Sequence, residues 1–290
     1  MAPVRFARVS ISGSSGYSNN AQVLWDGKFK FKKVPRGSYV VTAYVPRVGE
    51  FRQTYDIGPS TVDEKGRFKV NIVVHPSRAM RVATPGERFT VSAKRLSISE
   101  KAWKEYFESQ KKLRKQDYDG AVVHLEKAVK MSPQFAVAWN QLGTIAYHNR
   151  DLKKAEEYFR EARKQDDALF EPLVNLGGVL LQVGRLEEAL ELNTQAVDTR
   201  PRDALANAQL GLTYYEMKRL DEAVRYLSET KRLDPAHFTN PQLTLSDIYM
   251  KRGKRAEAAG ELENFLRHHP DYAQAENIRT AIGKLRGVAR

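Results

Sequence analysis

Residues 136–169 read AVAWNQLGTIAYHNRDLKKAEEYFREARKQDDAL, and this stretch decides how the rest of the chain is read. It carries Trp139, Leu142, Gly143, Ala155, Phe159 and Ala162. Counting in steps of 34 from these residues finds the same kinds of residue again. Gly143 is followed by Gly177 and Gly211, and Ala155 is flanked by Ala121, Ala189 and Ala223, with Ala258 one residue out of step. Pro133, Pro201 and Pro235 keep the same period, with Asp167 in the intermediate slot. Self-similarity at a period of 20–50 residues means a stack of small supersecondary units, each too small to bury its own apolar face.

Each column has a physical reading. Glycine and alanine are needed where two helices approach closely. Proline ends the second helix of a unit because it cannot continue one. Within a unit the apolar residues fall at helical spacing, as in Ala121, Leu125, Ala128 and Val129. Five units follow: 102–135, 136–169, 170–203, 204–237 and 239–272. Ser97 and Glu100 read as a capping box opening the first helix. That helix has Glu108, Ser109 and Lys112 where the other units are apolar or small, as expected of a helix facing no preceding unit. Residues 273–287 read as a closing helix, with Ile278, Ile282 and Leu285 on one face.

This period and pattern resemble the tetratricopeptide repeat. The resemblance implies an α-α superhelical solenoid that binds a polypeptide on its inner concave face, lined by the first helix of each unit. By register the inner positions are Tyr106, Gln110 and Leu113, then Asn140, Thr144 and Tyr147, then Val174, Gly178 and Leu181. The last two units offer Ala208, Leu212 and Tyr215, then Leu243, Asp247 and Met250. Leu181, Leu212 and Met250 are expected to pack rather than bind. The groove proper is therefore assigned to Tyr106, Gln110, Asn140, Thr144, Tyr147, Val174, Tyr215 and Asp247. Aromatic, aliphatic and amide groups together suit a segment with apolar anchors and backbone groups needing hydrogen bonds. The Lys, Asn and Arg set with which some relatives clamp a C-terminal carboxylate is missing at the equivalent positions.

Residues 1–95 form a different domain. Val, Tyr, Phe and Thr alternate with polar residues in short runs bounded by turn formers. The expected strands are Val4–Ile11, Lys28–Lys33, Ser38–Val45, Phe51–Ile57, Arg67–Val74 and Phe89–Ala93, arranged as a small antiparallel sandwich. The segment from Asp26 to Tyr39, DGKFKFKKVPRGSY, has an Asp-Gly turn, alternating aromatics, a Pro-x-Gly turn and a Tyr-led strand. It resembles the carboxypeptidase-regulatory-like, transthyretin-related β-sandwich of bacterial envelope proteins, which implies a non-catalytic module. The fold class is thus a β-sandwich followed by a helical solenoid at 96–290. The short joint, Pro85-Gly86 and then Arg95-Leu96, predicts a fairly fixed orientation.

Residues 1–94 hold 16 Lys/Arg against 6 Asp/Glu and carry ten of the thirteen net positive charges. Such a surface suits an anionic partner, or is a solvated face. Strand alternation would put Lys28, Lys30 and Lys32 on one face and Phe29 and Phe31 on the other, which disfavours a base-stacking platform and so nucleic acid as partner.

With no cysteine, disulfides, thiolate metal sites and cysteine nucleophiles are excluded. Phosphate-cradle, serine-hydrolase and zincin motifs are missing, and Ser12–Gly16 reads as a flexible turn. His148 reads as a surface residue, and His268 and His269 as cations at a helix C-terminus. No catalytic residue, cofactor or metal is expected, and the expected partner is a protein or peptide. No run reaches the roughly 20 apolar residues of a membrane span. The start lacks a leader's apolar core. The first domain's resemblance favours the cell envelope, periplasmic or secreted after leader removal, over the cytoplasm.

Overall fold

The structure, a computed structural model, describes residues 8–13, 17–23, 28–45, 49–64, 66–70, 72 and 98–287. The chain divides into two compact bodies. One is Arg88–Tyr226, and the other joins Met1–Glu87 to Leu227–Arg290.

The described residues contain eleven helices. They are α1 Glu100–Arg114, α2 Tyr118–Met131, α3 Ala136–His148, α4 Leu152–Gln165, α5 Phe170–Gln182, α6 Leu186–Thr199, α7 Ala204–Glu216, α8 Leu220–Leu233, α9 Pro241–Lys251, α10 Arg255–His268 and α11 Ala275–Leu285. The helices α3, α5 and α7 start 34 residues apart, as do α4, α6 and α8, so the sequence period is a period of helix pairs.

The small-residue column explains the pairing. A Cβ on Gly143 would stand 2.5 Å from Phe159, and one on Gly177 would stand 2.0 Å from Asn193 Oδ1. The same register holds Ser109, which is fully buried, and its hydroxyl donates to the Tyr106 carbonyl at 2.7 Å. Ser109 is therefore not a polar substitution on an open face. It is the first unit's small residue, with its one polar group satisfied by its own helix.

A second column shows only partly in the sequence. Gln116, Arg150, Gly184, Lys218 and Gly253 all follow a first helix and all have left-handed backbone, with φ from 61° to 79°. Each turn is closed by a bond from the next residue back into the helix, such as Asp151 N–H to Ala146 O at 3.0 Å and Arg219 N–H to Tyr214 O at 2.9 Å. Only two of the five turns use glycine, the residue that adopts this conformation without steric cost.

The proline column also has a role beyond stopping helices. Pro133 O accepts from Trp139 Nε1 at 2.8 Å, Pro201 O from Asn207 Nδ2 at 3.0 Å, and Pro235 O from Gln242 Nε2 at 2.6 Å. Indole and amide side chains do the same work at one register, tying α3, α7 and α9 each to the turn before it.

The N-cap of α1 is Ser99, whose hydroxyl accepts from Ala102 N–H at 3.2 Å, rather than Ser97, which lies outside the described residues. In α11, Ile278, Ile282 and Leu285 are half-buried along one face.

The body that contains the N-terminal residues has one four-stranded antiparallel sheet among its described residues, in the order β2-β1-β3-β4. Its strands are β1 Arg8–Gly13, β2 Ser18–Gln22, β3 Gly37–Val45 and β4 Gly49–Ile57. Val9, Ile11, Tyr39, Val41 and Ala43 are buried on one face, with Phe29, Phe31, Val34, Phe51 and Tyr55 packed on them. A second sheet, which a sandwich requires, is not among the described residues.

Two strand expectations change. Residues 28–33 have no ladder, although their alternation is real: the phenylalanines pack inward and the lysines are exposed. Residues 67–70 are not strand, and the rest of that run, like Phe89–Ala93 and 4–7, lies almost wholly outside the described residues. Conversely, Ser18–Gln22 pairs with β1 (Val9 opposite Ala21) although its sequence, SNNAQ, has no apolar alternation.

The edge strand β4 is held to the ends of α8 and α10. Thr54 N–H donates to both oxygens of Asp234 at 3.0 Å, and its hydroxyl donates to Oδ2 at 2.6 Å. Thr54 is 1% and Asp234 2% exposed. His269 Nδ1 meets Asp56 Oδ2 at 2.5 Å while its ring stacks on Phe265, and Ser60 Oγ donates to Asp271 at 2.5 Å. Asp234 and His269 occupy the same place after their helices. A carboxylate thus covers an edge N–H that would otherwise invite strand pairing. His269, read from sequence as a dipole-facing cation, is instead a buried partner of Asp56.

Burial pushes the Asp234 carboxyl above its ordinary range despite the Thr54 and Ala236 bonds. At Asp56 burial acts in the same direction, but bonds from His269 and Ser38 outweigh it and hold that carboxyl low. Nearby His237 is buried, and that burial, with Arg52 adding to it, lowers its pKa to about 3, so it is neutral. His237 Nδ1 meets Thr239 Oγ1 at 2.8 Å.

Candidate binding surface

Within the body Arg88–Tyr226, neighbouring first helices pack on one another, α3 against α5 and α5 against α7. This brings the expected inner positions onto adjoining helices. Asn140 Oδ1 accepts from Asn175 Nδ2 at 3.0 Å, linking α3 to α5. A Cβ on Gly178 would stand 2.4 Å from Gln209 Nε2, so the Gln209 amide of α7 fills the space that Gly178 leaves on α5. The Thr144 hydroxyl donates to Asn140 O at 3.0 Å and is locally satisfied.

Three side-chain amides on this body have a buried atom without a hydrogen-bond partner, Gln110 Nε2 on α1, Asn193 Oδ1 on the second helix α6 and Gln209 Oε1 on α7, so that two of the three lie on first helices. Burying an unmade hydrogen bond costs about 1–3 kcal/mol. A side-chain rotation that meets a ligand's backbone carbonyl or N–H recovers that cost.

The aromatic positions divide. Tyr147 is 39% exposed, and its ring meets that of His148 edge to face at 6.1 Å. His148 itself is exposed at the end of α3, where the sequence put it. Tyr215 is half-buried with Lys218 Nζ 5.5 Å from its ring. Tyr106 sits in the first repeats' core, with its ring 5.2 Å from Phe135 and 5.8 Å from Trp103, and burial raises its phenol pKa.

Val174 is a core residue at 3% exposure, packed with Phe170, Leu173 and Leu176, and has no surface for a partner. Ala208 is likewise fully buried. Leu181 packs on the same cluster as Val174, as expected. In the other body Asp247 pairs with Lys251 one helical turn on, at 2.5 Å, and Met250 is 48% exposed rather than packed.

The register used for the inner face missed Asn175 and Gln209. With Gln141 they form an amide column of period 34, so the signal was in the sequence one position away. Among the described residues no group of three or more His, Asp or Glu is placed to hold a metal ion, and no helix is long and apolar enough to cross a membrane.

Residues 108–169 and 243–279 match one tetratricopeptide-repeat model and residues 180–241 match another, together more than half of the chain. A stretch covering 48% of the chain is 31% identical to the type IV pilus assembly protein PilF of Pseudomonas aeruginosa, over 56% of that protein. Another, covering 34% of the chain, is 28% identical to the cell division cycle protein 16 homolog of Homo sapiens, over 18% of its length. The chain thus spans little more than half of the first relative and under a fifth of the second. Among solved structures, PilW, described as a type IV pilus biogenesis factor, superposes with a TM-score of 0.58 at 22% identity, over 66% of this chain and 88% of that one. At that identity the likeness is one of fold.

Proposed function

The chain belongs to the tetratricopeptide-repeat family, and from that premise we propose that it is a non-catalytic scaffold holding a polypeptide segment against the first helices of its repeats. The observation that supports this most is the amide set on α1, α3, α5 and α7. Asn140 and Asn175 are already oriented by each other, and Gln110 and Gln209 each keep one unmet group. Main-chain groups of an extended or helical segment are the chemistry that completes them. Tyr147 and Tyr215 are the proposed aromatic anchors. Each offers a large contact area at a low entropic cost.

The reading of the N-terminal part as a carboxypeptidase-regulatory-like module is supported by the Asp26–Tyr39 motif, and that reading together with the resemblance to PilF carries the proposal of a place in the bacterial cell envelope. PilF is named as an assembly protein. A segment of an assembling envelope complex is accordingly the proposed class of partner.

Affinity capture from native extract, with nuclease treatment, tests the reading by comparing wild type with Tyr147→Ala/Tyr215→Ala. A protein retained by the wild type and lost by the double variant is the expected result. Identical captures would remove the inner face from the account.

A further inference from the structure

We propose that the loop 28–36 is an electrostatic attachment site for an anionic lipid surface. Its sequence, KFKFKKVPR, has five cations and no acid. Lys28, Lys30, Lys32, Lys33 and Arg36 are all exposed, whereas Phe29, Phe31 and Val34 turn inward onto the sheet's core. Among the described residues no carboxylate pairs with Lys30, Lys32, Lys33 or Arg36. The basic segment at 67–69 behaves differently, since Asp63 takes Arg67 at 2.9 Å and Lys69 at 3.9 Å.

The loop is fixed rather than slack. The Tyr17 hydroxyl donates to Lys32 O at 3.2 Å, and the Tyr39 hydroxyl donates to Pro35 O at 2.9 Å. The two rings meet edge to face at 5.8 Å, and Tyr39 is fully buried. Lys33 has left-handed backbone at φ 54°, a conformation that costs a non-glycine residue free energy and persists only where the surroundings impose it. Two tyrosines, two phenylalanines and a strained residue therefore hold the exposed cations in place.

The arrangement selects among anionic partners. A single-stranded nucleic acid site needs aromatic faces beside its cations, and both aromatics here are turned into the core. What remains is a compact set of long, flexible cations that reads net charge without sequence or shape. That is the chemistry by which basic segments bind anionic lipid headgroups, each cation contributing roughly a fivefold gain in partition on an acidic membrane. The attachment is independent of the inner-face reading and leaves the repeats free for a polypeptide.

Co-sedimentation of the full chain with vesicles tests it, using phosphatidylglycerol and phosphatidylcholine in a 3:7 ratio against phosphatidylcholine alone. Binding is expected on the acidic vesicles only, with a steep decline as salt shortens the screening length. Lys30→Gln/Lys32→Gln should lower the partition coefficient about 25-fold, while Tyr147→Ala/Tyr215→Ala leaves it unchanged. An unchanged melting curve for the lysine variant excludes loss of fold as the cause. Equal binding to both vesicles, no binding to either, or a lysine variant that binds like wild type overturns the proposal. So does tighter loop-dependent binding of DNA than of acidic vesicles.

Discussion

Replacing Asp234 with alanine should loosen β4 from the end of α8, and the size of the effect follows from the bonds it breaks. Thr54 is buried and gives both its N–H and its hydroxyl to this one carboxylate. Asp234→Ala leaves the two buried donors of Thr54 without acceptors, at roughly 1–3 kcal/mol each, and takes the side-chain acceptor from the Ala236 N–H as well. Against that stands the cost of burying Asp234 itself, visible as its raised pKa. The expected net loss is about 3 kcal/mol, or on the order of a hundredfold faster local opening. Hydrogen exchange read by mass spectrometry on peptides from β4 and the end of α8 measures this directly. Local exchange is the right observable because a repeat protein need not unfold in one step. Thr54→Val removes only the hydroxyl and should cost about 1 kcal/mol. The double variant should cost no more than Asp234→Ala alone, because the two side chains act through one contact. Less than about a threefold change in β4 exchange for Asp234→Ala would refute the reasoning.

Three further outcomes follow from the packing. His237 is held neutral down to about pH 3 from an ordinary 6.5, so its contribution is complete above 6.5 and declines as the pH falls towards 3. By linkage the body containing it should lose about 2 kcal/mol between pH 7.5 and 5, and His237→Gln should remove that slope in pH-dependent exchange. Gly177→Ala drives a methyl onto Asn193 Oδ1 and should cost about 2–3 kcal/mol in urea unfolding, while Gly260→Ala, where the added Cβ meets nothing, should be neutral or stabilising. Lys218→Gly relieves a left-handed residue at the position where Gly184 and Gly253 stand in other repeats, and should raise the unfolding midpoint by an amount equivalent to about 0.5–1 kcal/mol.

The helical part of the fold was legible because its determinants are local and periodic. Glycine, alanine and proline columns report helix contacts within one or two repeats, and the helix starts keep the same step of 34. Ser109 was misread because a buried serine that bonds its own helix looks, in one sequence, like a polar surface residue. Val174 was misread because register gives the side of a helix but not how tightly the next helix covers it. The sheet was legible only where burial imposes alternation, as in β3. Ser18–Gln22 is a strand because it extends β1, and its own residues carry no such signal. The Thr54–Asp234 and Asp56–His269 contacts join residues 180 and 213 apart, a distance no periodicity reports.

The central claim, that a polypeptide lies against the first helices, is tested most directly by site-specific photocrosslinking in native extract. A benzophenone side chain is placed at position 147, replacing Tyr147, and in a second protein at position 157, replacing the exposed Glu157 of the second helix α4. The account predicts a discrete protein adduct from position 147, suppressed by Tyr215→Ala, and none from position 157. Adducts of equal yield from both positions, or from position 157 alone, would contradict it.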